Sequence, residues 1–205
     1  NFIHVPKGVF LMGEVGSQVH ATIPNDFESM DTDVTQFMWV EEFGENPSHF
    51  ADGEHVVVEN INGRLVKMQP DNPVESITWW STLVYANRKS EKAGLRPAYD
   101  LSRIKWKPGT SAEAGTLRPA SDAQAKKLKI NAPNGDITQA EGFRLPMANE
   151  WEYMLRDLGR SRGEYPHDVA EDELMEIAWY ESNSGDTTHP VGTTVRSLLI
   201  NGKTS

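Results

Sequence analysis

The sequence predicts an α+β fold built from short antiparallel strands, about three helices and long irregular loops. Apolar residues recur with a helical period near residues 33–43, 78–92 and 147–158. The other apolar runs are short and end at glycine or proline, as strands do. The resulting order is strand, strand, helix, hairpin, helix, long loop, helix and strand, which lacks the alternation of a βαβ protein.

Two short strands open the chain. Residues 9–12 (VFLM) stop at Gly13, and residues 19–23 (VHATI) stop at Pro24. Because both runs are apolar and bounded by residues that interrupt strands, we expect them to pair as a hairpin.

The first helix is predicted over residues 33–43. It follows a run rich in capping side chains (DTDVT), and Gly44 is a natural end. Val34, Phe37 and Met38 share one face, which predicts an amphipathic helix.

A surface hairpin is predicted next. The run at 56–58 (VVV) and the pair Leu65 and Val66 flank Asn62 and Gly63, a dipeptide typical of two-residue hairpin turns. The surrounding segment is polar, so we place this hairpin at the surface.

The second helix is predicted over residues 78–92, with Ser76 or Thr78 as its cap and Gly94 as its stop. Two neighbouring stripes run along it, with Trp79, Leu83 and Ala86 on one and Trp80, Val84 and Asn87 on the other. We therefore expect the helix to be covered on two sides.

Regular periodicity fades between residues 95 and 140, where small residues, proline and lysine become frequent. We expect a long polar loop over about residues 103–140. Loops of this length are uncommon inside compact domains, so this one is expected to be functional or variable in structure.

The third helix is predicted over residues 147–158, between Pro146 and Gly159. Its apolar stripe has the spacing i, i+3, i+4 and i+7 and consists of Trp151, Met154, Leu155 and Leu158. We expect Trp151 to lie in the core, because large apolar side chains on a helical stripe usually do.

A last strand is predicted at residues 198–200 (LLI). With 205 residues the chain is long enough to bury a core, and we predict one domain over residues 1–205.

The composition excludes several classes of chemistry. The chain has no cysteine, which removes disulfides, thiolate nucleophiles and cysteine-rich zinc sites. Its formal net charge of -10 argues against non-specific binding of nucleic acid or of an anionic membrane. No apolar run approaches the ~18 residues of a membrane span. The six histidines are scattered, and no nucleophile-elbow, phosphate-loop or dinucleotide motif occurs.

Charge is unevenly distributed along the chain. Residues 25–60 hold ten acidic residues and no Lys or Arg: Asp26, Glu28, Asp31, Asp33, Glu41, Glu42, Glu45, Asp52, Glu54 and Glu59. Residues 103–129 hold seven basic residues against Glu113 and Asp122: Arg103, Lys105, Lys107, Arg118, Lys126, Lys127 and Lys129. We interpret both segments as solvated faces rather than binding patches.

Seven segments, in order along nearly the whole chain, resemble motifs of the formylglycine-generating enzyme family, also called the sulfatase-modifying-factor family. They are 5–13 (VPKGVFLMG, similar to vPgGtFxMG), 30–36 (MDTDVTQ, to tpVTq), 45–50 (ENPSHF, to NPSyF), 72–79 (NPVESITW, to hPVenVSW), 87–100 (to NrlSekeGLxPaYd), 144–153 (RLPMANEWEY, to RLPTEAEWEY) and 189–192 (HPVG, to hPVG). The resemblance implies a variant of the C-type lectin-like fold.

The chain departs from the family pattern at two places. Met147, Ala148 and Asn149 replace the usual Thr, Glu and Ala, so we expect the hydroxyl N-cap and its capping box with Glu150 to be lost. The family's GNVWEW segment and the cysteine pair of its copper-dependent oxidases would lie beyond residue 205, and Ala86 stands where some members have a cysteine.

The resemblance also suggests calcium, an ion that this fold often carries. Asn183 and Asp186, in the segment ESNSGD, supply hard oxygens and are the metal-ligand candidates. A polar turn is the alternative, because Ca²⁺ takes about six to eight oxygen ligands and few are visible here.

We interpret the chain as a non-catalytic binding module whose loops recognise a protein or glycan ligand. We expect it to be bacterial and exported to the periplasm or cell surface, since the first residue is Asn1 rather than Met. One alternative is a sulfatase-modifying oxidase, or a related iron-dependent enzyme, whose catalytic C-terminal segment is absent from this chain. Another is an envelope or motility scaffold protein.

Overall fold

The computed structural model describes residues 1–163 and 170–194, without the side chains of residues 171 and 172. The chain divides into two compact units, Asn1–Asp33 with Pro146–Ser205, and Val34–Leu145. The strand predicted at 198–200 lies outside the described residues. No described helix is long and apolar enough to cross a membrane.

In its described residues the first unit contains two antiparallel strand pairs and one α-helix. Its elements are β1 (Phe2–Val5), β2 (Gly8–Met12), β3 (Val19–Ile23), β4 (Phe27–Met30), α4 (Ala148–Leu155) and a 3₁₀ segment (Glu171–Glu176). β1 pairs with β4, and β2 pairs with β3. The predicted opening hairpin is thereby confirmed.

The core of this unit is formed by Val5, Phe10, Ile23 and Tyr153. The Tyr153 ring lies 5.3 Å from that of Phe10. A Cβ at Gly8 would overlap the Tyr153 hydroxyl, so only glycine lets the helix approach β2 this closely. Burial raises the pKa of the Tyr153 phenol.

The predicted burial of Trp151 is wrong, because its side chain is 57% exposed. α4 buries Glu150 and Tyr153 instead, and Met154 packs partly against the core. The helix ends at Leu155, before Leu158, the last residue of the predicted apolar stripe. Leu158 is not helical, because its φ of 55° is left-handed. The face that meets the strands is therefore set by Tyr153 and not by the longest apolar stripe.

The capping box of α4 is only half lost, which corrects our expectation. Met147 makes no side-chain cap, but its backbone N–H donates to Glu150 Oε2 at 2.8 Å. The N–H of Glu150, which a threonine hydroxyl would have accepted, donates to Asn149 Oδ1 at 3.0 Å. Asn149 thus compensates for the missing hydroxyl.

The second unit carries the other helices and two further strand pairs. Its elements are α1 (Gln36–Phe43), β5 (Val57–Ile61), β6 (Arg64–Met68), α2 (Trp79–Lys92), β7 (Tyr99–Asp100), α3 (Asp122–Ala125), β8 (Lys129–Ile130) and 3₁₀ turns at Pro133–Gly135 and Ile137–Gln139. β5 pairs with β6 and β7 with β8. The surface hairpin, the Thr78 cap and the end of α1 at Gly44 are confirmed.

α1 presents a different face to the core from the one its sequence suggested. The helix starts at Gln36 and buries Gln36, Trp39 and Val40, whereas Phe37 is 38% exposed. The Gln36 amide decides this orientation. Its Nε2 donates to the carbonyl of Phe50, and its Oε1 accepts from the backbone N–H of Gln69 and from Asn46.

α2 is covered on two sides, as predicted, except at Trp79. Leu83 and Ala86 pack with Ala98 and Tyr99. On another face Tyr85 stacks on the Trp39 ring at 5.4 Å. Trp79, which the stripe predicted to be buried, is 50% exposed.

Candidate functional site

An open surface depression of about 440 Å³ lies at the N-terminal end of α2. Its lining residues are Ile77, Thr78, Trp79, Trp80, Arg118 and Pro119. Trp106 adjoins it through a contact with Trp80. We call these seven residues the tryptophan depression.

Hydrogen bonds fix the start of α2 against the segment that follows residue 114. The Thr78 hydroxyl accepts from the N–H of Ser81 at 3.2 Å and donates to the carbonyl of Leu117 at 2.7 Å. The N–H of Thr78 donates to the carbonyl of Gly115 at 2.7 Å. A helix cap and a distant loop are therefore held by one side chain.

Gly115 is required for this close approach. Its φ of +68° lies in the left-handed region, and a Cβ there would lie 2.8 Å from Ile77 Cγ2. A larger residue would push the loop that carries Arg118 away from α2.

The three tryptophans meet edge to face. The rings of Trp79 and Trp80 are 4.9 Å apart at 79°, and those of Trp80 and Trp106 are 5.8 Å apart at 70°. This geometry suits the charge distribution of aromatic rings, in which a positive edge faces a negative face. Trp80 is thereby held between two rings, while Trp79 keeps an exposed surface.

A short antiparallel bridge brings the basic segment to the depression. Trp106 pairs with Pro119, the N–H of Lys107 donates to the carbonyl of Arg118, and that of Ala120 donates to Lys105. Lys105, Lys107 and Arg118 are all exposed. Within the described residues none of these three side chains forms an ion pair.

The lining side chains can stack, exclude water and attract an anion. The Thr78 hydroxyl is already engaged in the helix cap, and the remaining lining side chains offer the Arg118 guanidinium, two indole rings with their N–H donors, and the apolar Ile77 and Pro119. Such a set binds a ligand with apolar faces and negative charge.

The described groups with shifted pKa values have structural causes. The Ser102 hydroxyl donates to Asp100 and lowers the pKa of that carboxyl, and Thr138 does the same for Asp136. Burial, aided by the carboxylate of Glu42, raises the pKa of Tyr85 to about 12. None of these three groups lines the depression.

The calcium candidates belong to a turn after the 3₁₀ segment of the first unit. Asn183 Oδ1 accepts from the N–H of Tyr180 at 2.7 Å, and its Nδ2 donates to the carbonyl of Ala178 at 2.9 Å. Asp186 is exposed with a φ of 57°. No group of three or more His, Cys, Asp or Glu suited to a metal ion occurs in the described part of the chain. The calcium site stays a prediction.

Three of the quoted sequence motifs have structural roles in the second unit. Thr35 forms a bridge with Pro73, and the N–H of Gln36 donates to the carbonyl of Asn72 at 2.8 Å. Ser48, from the NPSHF segment, accepts from the N–H of Glu75 at 3.3 Å. These segments fasten α1 to the chain that leads into α2.

Sequence reasoning did not identify the tryptophan depression. It assigned Trp79 and Trp80 to covered stripes, yet adjacent residues lie about 100° apart on a helix, since it has ~3.6 residues per turn. Trp106 was a signal that could have indicated this site, because it is a large aromatic residue between two lysines in a segment without periodicity.

Comparisons with known proteins agree with the architecture. The chain is 26% identical to a structure described as Treponema denticola variable protein 1, with a TM-score of 0.66, covering 94% of this chain and 64% of that one. A structure of CarF shares the fold at 18% identity and a TM-score of 0.51, covering 95% of this chain and 72% of that one. The predicted α+β fold, of the formylglycine-generating enzyme and C-type lectin-like type, is confirmed.

A curated relative, chaperone protein LppX of Paenibacillus barcinonensis, is 27% identical over 162 residues. The match covers 79% of this chain but 46% of LppX, so the chain spans about half the length of that relative. Residues 1–199 match the family described as sulfatase-modifying factor enzyme 1-like domain. A match over nearly the whole chain establishes membership, and the protein belongs to the sulfatase-modifying factor enzyme 1-like domain family.

Proposed function

We propose that this chain is a non-catalytic binding module that recognises its ligand at the tryptophan depression. The observation that carries the proposal is the half-exposed indole of Trp79, set on Trp80 and bordered by Arg118. Tryptophan and arginine are the residues most enriched where binding energy concentrates. A rigid helix start and a hydrogen-bonded loop hold them in place, which lowers the entropic cost of binding.

The names of similar proteins support binding rather than turnover. One is called a chaperone and another a variable protein. Both come from bacteria, which supports a bacterial origin for this chain. We propose a periplasmic or cell-surface location, where a recognition module would meet a protein or glycan ligand.

An oxidase that makes formylglycine is the second candidate, favoured by the family description. Copper-dependent members use a cysteine pair, and these 205 residues contain no cysteine. The soft ligands left in the chain are its methionines. We therefore assign the binding role to this chain.

The binding role is tested with immobilised probes: heat-denatured citrate synthase, xylan, alginate and polygalacturonate. We expect at least one probe to retain the wild type and the Trp151→Ala variant but not Trp79→Ala. Trp151 is a matched control, since it is 57% exposed and does not line the depression. Retention of none of the probes, or equal behaviour of the two variants, contradicts the proposal.

A parallel assay addresses the oxidase. The chain is incubated with copper and a cysteine peptide of the sulfatase type, and the peptide mass is followed. We expect no change in mass. Conversion of the cysteine to formylglycine would replace the binding role with the enzymatic one.

A further inference from the structure

We propose that the ligand of the tryptophan depression is an acidic polysaccharide, a polymer of sugars that carry carboxylates. A sugar ring stacks on Trp79, and its carboxylate pairs with Arg118. This inference rests on the proposed binding role and names the ligand class for the same site.

The aromatic part of the site fits a sugar ring. A pyranose presents a face of C–H groups that is apolar and slightly positive, and an indole face is negative. Trp79 is half exposed, and its edge-to-face contact with Trp80 fixes its orientation. The depression is open, as a site for a long chain must be, whereas small-molecule sites bury most of their ligand.

The cationic part of the site requires an anion. Lys107 lies across the bridge from Arg118, because its N–H donates to the Arg118 carbonyl, and Lys105 lies across from Ala120. Like charges across a strand pair are destabilising.

Within the described residues, no acidic side chain forms an ion pair with Lys105, Lys107 or Arg118. Glu113, one of the two acidic residues in the basic segment, is held by Arg88 at 2.8 Å. Asp122 lies in the first turn of α3, where an acid is favoured by the helix dipole. A bound carboxylate would therefore supply Arg118 with a counter-charge that no described side chain provides.

The net charge of the chain separates an acidic glycan from a nucleic acid. Duplex DNA carries about one negative charge per 1.7 Å, and its binding requires many cations along the track. Here three cations stand on a chain of net charge -10. A polysaccharide with one carboxylate per sugar has a lower charge density than DNA, so Arg118 and the two lysines can match its charge. Repulsion from the more distant acidic side chains of the protein is screened beyond ~8 Å.

The test uses the protein expressed from its full coding sequence, with dissociation constants measured by calorimetry. The probes are polygalacturonate, the same polymer with its carboxyl groups reduced to alcohols, the single-stranded DNA poly(dT), and denatured citrate synthase. We expect polygalacturonate to bind more tightly than the reduced polymer by about tenfold, the effect of losing a charge-assisted hydrogen bond.

Variants locate the contacts. We expect Trp79→Ala and Arg118→Gln each to weaken polygalacturonate binding by about tenfold. The matched controls are Trp151→Ala and Lys126→Gln, an exposed cation of the same segment that does not line the depression, and both should stay within about twofold. All four side chains are exposed or half exposed, and circular dichroism confirms that the variants are folded.

Each other outcome has a defined meaning. Binding of the reduced polymer or of citrate synthase as tightly as polygalacturonate, with the same dependence on Trp79, overturns the acidic glycan and leaves the binding role intact. Equal or tighter binding of poly(dT) also overturns it, in favour of single-stranded nucleic acid. An Arg118→Gln variant that binds like the wild type overturns the carboxylate contact. Binding of no probe overturns both proposals.

Discussion

At the scale of single residues, Arg156 ties the first unit together. Its Nε donates to Glu152 Oε1 at 2.7 Å, and its two terminal nitrogens donate to the carbonyls of Gly163 and Gly13 at 2.9 Å each. Glu152 Oε1 also accepts from the N–H of Gly13 at 2.7 Å. The pair is largely buried, with side chains 10% and 18% exposed.

Replacing Arg156 by methionine should destabilise the protein strongly. The variant leaves the Glu152 carboxylate partly buried without its cation, and two carbonyls lose their donor. Breaking such a pair costs about 3–5 kcal/mol. We expect the free energy of unfolding in urea to fall by about 3 kcal/mol. Arg160→Met is the control, because Arg160 is 62% exposed and its pair with Asp157 is at the surface. A loss no larger than that of the control contradicts the role of Arg156.

At the scale of elements, the start of α4 shows how a changed motif keeps its helix. Met147 cannot supply the hydroxyl, yet Asn149 accepts the N–H of Glu150 and Glu150 accepts that of Met147. The orphan donors of the first turn are thereby satisfied by other side chains. The substitutions at residues 147–149 and the two hydrogen bonds that replace the lost cap therefore lie in the same turn of the helix.

A double-mutant cycle measures this compensation. Asn149→Ala should cost about 1 kcal/mol of unfolding free energy in the natural background, as the loss of a cap does. The same change should cost less in a Met147→Thr background, where the new hydroxyl accepts the freed N–H. The contact of Asn149 Nδ2 with the carbonyl of Thr22 is lost in both backgrounds and cancels. Strict additivity of the two substitutions would show that Asn149 does not replace the missing hydroxyl.

At the scale of the whole molecule, order is unevenly distributed. Residues 103–140 contain only α3, β8 and two 3₁₀ turns as regular elements, and most of their basic side chains are exposed. Ile104, Ala112 and Leu117 anchor this segment in the core, so we expect opening to be easiest at the exposed stretches between these anchors. α4 and α2, by contrast, each contribute buried side chains to an apolar cluster, Tyr153 in α4 and Leu83 with Ala86 in α2.

Limited digestion with trypsin tests this contrast. Within residues 1–163 we expect the first cuts at Lys105, Lys126 or Lys127, before any cut in α2 or α4. Lys107 and Arg118 precede proline, which makes those bonds poor substrates. Lys89 in α2 is the internal reference, and mass spectrometry identifies the fragments. A first cut at Lys89 would show that the loop is protected.

The sequence by itself did not indicate β1, β4, β7, β8 or α3. It determined the three main helices, the two hairpins and the ends that local signals set. Those features depend on local chemistry: the Asn62-Gly63 turn, the Thr78 cap and the stop at Gly44 act within a few residues. Motifs spread along the chain identified its family for the same reason. Each motif is a run of consecutive residues, so it can be recognised without knowing which residues lie near it in the fold.

Only the tertiary structure decided which faces are buried and which side chains line the tryptophan depression. Trp151 and Trp79 lie outside because Tyr153 and Leu83 occupy the positions that meet the core. The tryptophan depression joins the start of α2 to a loop some forty residues later, through Gly115 and the Thr78 hydroxyl. Helical periodicity tells how side chains are spaced around an axis. It cannot tell which side of that axis another part of the chain will cover.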